Sequence, residues 1–91
     1  MRADDVLMLE LKWKNTNKDT IVDNLYEYLI RYNPECKKFD VKIKTLMEIS
    51  GDKENTVYAW INRSRRKVKI PFLKLCKIAS ALNVSVEDML K

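Results

Sequence analysis

The chain contains a single glycine, Gly51, and it falls between two short apolar patterns of helical period. A glycine there can adopt the left-handed backbone conformation that ends a helix, so the sequence predicts a helix, a sharp turn and a second helix. The second pattern runs directly into Arg63-Ser-Arg-Arg-Lys-Val-Lys69. With 91 residues and 10.8 kDa the chain makes one domain, large enough for one small core but not for a deep catalytic cleft beside it.

A formal net charge of +5 and a pI near 9.3 favour a polyanionic partner, nucleic acid before anionic membrane. The charge is uneven: from Asp52 to Lys77 there are eight Lys or Arg against two acids. The partner is therefore expected to meet the C-terminal half. Cys36 and Cys76 have no CxxC spacing and no histidine is present to complete a zinc site, so neither metal nor cofactor is expected. Two free thiols in a reducing cytosol are expected, with a disulfide as the alternative. Cys76 lies on an apolar helical face, where a thiol behaves as a small core residue. The N-terminus does not read as a signal peptide, because Asp4 and Asp5 replace the positive region and Lys12 and Lys14 interrupt the apolar stretch. No run approaches the ~18 apolar residues of a membrane span, and a cytoplasmic location without membrane contact is expected.

Residues 1–18 form an N-terminal arm in which Leu7, Leu9, Leu11 and Trp13 alternate with Met8, Glu10, Lys12 and Lys14. Period two reads as a strand, which would need a partner such as a copy of itself across a two-fold axis; a frayed arm or an extension of the first helix is the alternative. Residues 19–91 read as helical. Thr20 and Asp23 resemble a capping box, and Ile21, Leu25, Tyr28, Leu29 and Tyr32 follow at helical spacing up to Asn33-Pro34. A loop over 35–39 leads to a second helix capped by Asp40, with Ile43, Leu46, Met47 and Ser50 inward and Lys42, Lys44 and Thr45 outward. A third, short helix from Asp52 or Lys53 buries Val57, Trp60 and Ile61. Pro71 starts a fourth helix lined by Phe72, Leu75, Cys76, Ala79 and Leu82 and closed by Asn83. Ser85 with Asp88, and Val84 with Met89, announce a fifth through a capping box and a hydrophobic staple.

Catalysis is not expected. Histidine is absent, Asp23, Asp40 and Asp88 have capping explanations, the serines lack a base partner, and one glycine cannot build a phosphate-cradling loop. The outer face of the third helix carries instead Glu54, Asn55, Tyr58, Ala59 and Asn62, a mixture of hydrogen-bonding, aromatic and small side chains. A helix fits the DNA major groove, where Asn55 can read adenine, Glu54 can accept from cytosine, the Ala59 methyl can touch that of thymine, and Tyr58 can reach base or phosphate. Arg63, Arg65, Arg66 and Lys67 follow as phosphate ligands. A charge run of this kind is ordinarily a solvated loop, and its position directly after the third helix is what favours contact with phosphate. Neutralising about four phosphates per subunit predicts a log-log salt slope near −3.6. Trp60 is read as core.

Together the strings Leu46-Met-Glu-Ile-Ser-Gly51, Asn55-Thr-Val-Tyr-Ala-Trp-Ile-Asn62, Ile70-Pro71, Leu75-Cys-Lys-Ile-Ala79, Leu82-Asn-Val-Ser85 and Glu87-Asp-Met-Leu90 resemble the lambda-repressor-like helix-turn-helix family, of the XRE or Cro/C1 type. The resemblance covers residues 41–91, and more loosely the first helix. It implies an all-α, five-helix domain that binds operator DNA as a homodimer; separately, no small-molecule substrate is apparent from the sequence. It also implies that the second helix lies across the backbone, with Lys42 and Lys44 near phosphate, and that the third enters the major groove. On that basis Glu54, Asn55, Tyr58 and Ala59 face bases, while Lys53, Asn62 and the cations that follow approach phosphate. Met47, Asp52 and Ile43 depart from the family pattern, which has a small, an apolar and a polar residue at those places. The expected function is sequence-specific regulation of transcription, as a repressor of bacterial, phage or mobile-element origin. The alternative is a helix-turn-helix scaffold used for protein interaction, as in an antirepressor, antitoxin or inhibitor.

Overall fold

A computed structural model of the chain describes residues 3–64 and 68–91. Among these the fold is all-helical: α1 (Ala3–Asn15), α2 (Lys18–Tyr32), a 3-10 turn (Pro34–Lys37), α3 (Phe39–Ser50), α4 (Glu54–Ile61), α5 (Phe72–Ala81) and α6 (Val86–Met89). The strand expected in the arm is overturned, and six α-helices replace five. The cause is composition: Leu, Met, Glu and Lys are strong helix formers, and a helix satisfies its own backbone where a lone strand cannot. Asp4 and Asp5 in its first turn and Lys12 and Lys14 in its last oppose the helix dipole. At helical spacing Val6, Leu9, Glu10 and Trp13 are half-buried against the body, whereas Leu7, Met8 and Leu11 face outward.

Local signals set most of the remaining boundaries. Asn17, not Thr20, caps α2 by accepting from the Thr20 N–H at 2.8 Å. The buried stripe of α2 is Ile21, Val22, Leu25 and Leu29; Tyr32, expected on it, is 56% exposed. Asp40 lies inside the first turn of α3 and does not cap it. Gly51 closes α3 as expected, at φ 75°, its N–H donating to the Met47 carbonyl at 2.9 Å. A Cβ at Gly51 would meet nothing within 4 Å, so backbone conformation, not space, selects glycine there. At the end of α5, Asn83 takes φ 59°, with Val84 N–H donating to Ala79 and Asn83 N–H to Ser80, the paired bonds of a Schellman motif. Ser85 caps α6 by accepting from the Asp88 N–H at 3.1 Å.

The core gathers where α3 packs on both α4 and α5 while α2 and α5 meet α6. Leu25, Leu29, Leu46, Val57, Leu75 and Met89 are fully buried in it. Because α3 is covered on several sides, Lys42 and Thr45, expected outside, are buried. The segment expected to be a loop at 35–39 contains the 3-10 turn, which Cys36 fixes to the core with Sγ 3.5 Å from Thr45 Oγ. Cys36 is thus the core cysteine; Cys76 is half-buried, burial raises its thiol pKa, and both thiols are free.

Lysine ammonium groups close several helix ends. Lys18, buried at the start of α2, donates to the Ala59 and Asn62 carbonyls at 2.8 and 2.6 Å, the C-terminus of α4. Lys69 donates to the Trp13 carbonyl at 2.6 Å at the end of α1, and its ammonium lies 4.7 Å from the Trp13 ring centroid. Lys74 reaches the Ser50 carbonyl at 3.1 Å and Asp52 at 3.0 Å. Each places a cation on orphan carbonyls at the negative end of a dipole. Trp13 completes the α1 anchor by donating Nε1–H to the Ile70 carbonyl at 2.9 Å and packing 6.2 Å from Phe72. Lys18→Met keeps the apolar stem and removes the charged donor, so it should lower the unfolding free energy by about 1–3 kcal/mol, read as a lower urea midpoint. Lys44→Met, at an exposed position, should stay within about 0.5 kcal/mol.

Candidate nucleic-acid interface

The turn from Gly51 to Lys53 delivers the chain into α4 with Lys53 as N-cap and no side-chain cap bond. Val57, Trp60 and Ile61 then fix the helix to the core at i, i+3 and i+4 spacing. The 100° step leaves the opposite arc outward. Glu54, Asn55 and Tyr58 are exposed on it and Ala59 is half-buried. Thr56, also exposed, belongs to this surface although its place beside the buried Val57 gave no signal of it. The ammonium of Lys18 beneath the C-terminus of α4 holds the last turn from below, through backbone carbonyls, and so leaves the outward side chains unengaged by that contact.

The expected phosphate ligands divide into distinct environments. Lys44 and Lys53 are exposed and make no ion pair among the described residues. Lys42 is buried, its ammonium 4.5 Å from the Tyr26 ring centroid and donating to the Lys37 carbonyl at 3.3 Å, so it does not join them. Asn62 turns its Oδ1 onto Ser64, accepting from the N–H at 3.0 Å and the hydroxyl at 2.7 Å, and thereby shapes the exit from α4. Arg63 is ion-paired with Asp23 and stacked 5.6 Å from the Tyr26 ring centroid. The Asp23 hydrogen bond holds its guanidinium still further above its ordinary pKa. Arg65, Arg66 and Lys67 lie outside the described residues. Lys69 turns inward to α1, and burial lowers its pKa.

Tyr26 is the residue that reading the helical stripe of α2 missed. Its hydroxyl donates to the Ile61 carbonyl at 3.2 Å, its ring receives both Lys42 and Arg63, and burial raises its pKa. It joins α2, α3 and α4 at one point. Phe39, in the stretch where the sequence predicts a loop, instead opens α3 and meets Tyr58 edge-on, with ring centroids 5.8 Å apart at 88°. With Ile43 and Met47 as floor and Asp40, Lys44 and Glu54 as rim, these two aromatics form a groove of about 420 Å³ between α3 and α4. The departures from the family pattern find places here: Ile43 and Met47 line the groove, and Asp52 pairs with Lys74 instead of capping α4.

No protein-family model, curated protein or solved structure matches this chain. The site therefore rests on its own geometry: a short helix with a polar and aromatic outer arc, flanked by exposed lysines. Because Asn55 and Tyr58 are exposed, Asn55→Ala and Tyr58→Ala should each change the unfolding free energy by less than about 1 kcal/mol, measured by thermal or urea denaturation. A ligand-binding defect in either variant is then a defect of recognition.

Proposed function

We propose that the chain is a sequence-specific double-stranded DNA-binding regulator of the lambda-repressor-like helix-turn-helix type, with α3 and α4 as the helix-turn-helix and α4 in the major groove. The observation that carries the reading is the outward arc of α4, where Glu54, Asn55, Thr56 and Tyr58 are exposed together on a helix immobilised by Val57, Trp60 and Ile61. A helix of this diameter fits the major groove, and amide, carboxylate and methyl groups match the donor, acceptor and methyl pattern of base edges. Lys44 and Lys53 flank the arc as phosphate contacts, and Arg65, Arg66 and Lys67 add charge C-terminal to it. One such helix reads few positions, so two copies on a palindromic site are the form in which it would regulate a gene, as a repressor in the cytoplasm.

A second reading is favoured by the Phe39–Tyr58 groove: an apolar floor beside a recognition helix can hold an aromatic or aliphatic side chain of a protein partner. The two readings separate in one experiment. Selection of bound duplexes from a random pool should recover a common sequence, and Asn55→Ala should relax one position of it by about 1–3 kcal/mol while preserving affinity for unrelated DNA. Replacing Arg65 and Arg66 by Ala should weaken binding to every duplex and flatten the log-log salt slope by about 1.8. A pool that yields no enrichment, together with duplex binding indifferent to all three positions, would leave the groove as the functional surface. Asp23→Asn should act oppositely to the arginine changes, releasing Arg63 and steepening the slope by about 0.9.

A further inference from the structure

The outward face of α1 is not needed to hold the chain together. Leu7, Met8 and Leu11 are 63%, 71% and 60% exposed, although the opposite face is anchored through Trp13. Single exposed leucines need no explanation, but here they follow a pattern. On a helix, residues 4, 7, 11 and 14 share one stripe at 3-4-3 spacing, the seam by which helices pair. That stripe reads Asp4, Leu7, Leu11, Lys14: an acid at the N-terminal end, two leucines in the middle and a base at the C-terminal end. Asp4 and Lys14 are exposed, and neither makes an ion pair among the described residues.

We infer that α1 is a self-association helix, pairing antiparallel with α1 of a second copy of the chain across a two-fold axis. Antiparallel pairing about Leu9 sets Leu7 against Leu11 of the other copy and Asp4 against its Lys14, twice by symmetry. The stripe is thus complementary to itself in charge and in apolar content, which an isologous interface requires. A parallel pairing would set Asp4 on Asp4 and Lys14 on Lys14, and is disfavoured by like charge. This assignment concerns residues remote in sequence from α4 and does not rest on what α4 binds.

Sedimentation velocity of the full chain across a concentration series tests it. The expected result is a reversible shift from 10.8 kDa to twice that mass. Leu11→Glu, with its helical circular dichroism retained, should raise the dimer dissociation constant at least about tenfold, since each copy loses a buried leucine and gains a buried charge. Asp4→Lys alone and Lys14→Asp alone should each weaken association, and the double variant should restore it. The same double variant would not recover if the helices paired in parallel, because like charges would still face each other. A chain that stays monomeric at every concentration overturns the assignment. So does a dimer indifferent to Leu11→Glu and Asp4→Lys, which would form elsewhere. Binding of the monomer to phosphatidylglycerol vesicles, lost in Leu11→Glu, would give the face to a lipid surface instead. Duplex binding measured on the monomeric Leu11→Glu chain reports on α4 separately.

Discussion

The ammonium of Lys18 on the last carbonyls of α4 is the contact on which the presentation of the candidate site depends. An α-helix leaves four carbonyls without internal partners at its end, and a left-handed glycine is the common way to satisfy them. This chain has one glycine, and it is spent on α3. The end of α4 is met instead by a cation delivered from the first residue of α2, 41 residues earlier in the chain. Burying an ammonium is unfavourable unless its donors are satisfied, and two carbonyls at 2.8 and 2.6 Å take two of its three while the charge opposes the helix dipole. The outward arc of α4 thereby acquires a fixed base without any of its own side chains being used to make it.

The same device changes what the net charge means. Eight cations between Asp52 and Lys77 suggest a polyanion footprint, yet Lys69 and Lys74 are turned onto carbonyls of α1 and α3, and Arg63 is occupied by Asp23 and Tyr26. Formal charge persists at long range, so these groups still contribute to the field that attracts an anion. They do not offer the short contacts that release counterions, because their donors are already engaged within the protein. Electrostatic steering and contact number are thus separate quantities in this molecule.

What was legible in the sequence follows the range of the interaction responsible. Gly51, Asn83 and the Ser85–Asp88 cap act over a few residues, and the Val57, Trp60, Ile61 stripe is a matter of spacing on one helix, so each could be read directly. Lys18, Lys42, Lys69 and Tyr26 derive their roles from partners on other elements, and a helical wheel drawn for one element gives them only a solvated or neutral place. Lys42 and Thr45 went to the wrong side because α3 is enclosed by α4 and α5 and by the 3-10 turn, a fact of assembly. The arm failed for a different reason. Its leucines satisfy period two, and at the same time Leu9 and Trp13 satisfy i, i+4; propensity and backbone satisfaction decide between the two, and both favour helix.

That helix is mechanically joined to the basic segment. Arg63, at one end, is held to α2 by Asp23 and Tyr26; Lys69 and Ile70, at the other, are held to α1 by the Trp13 carbonyl and indole. The cations between them therefore start and finish at points fixed to two different helices. Displacing α1 would shift the Lys69–Ile70 point, and a force on that point would act back on α1 through the same bonds. The coupling is reciprocal by thermodynamic necessity, whatever its sign. A load placed on the outer face of α1 would thus be felt at the Lys69–Ile70 end of the basic segment, through the Trp13 carbonyl and indole.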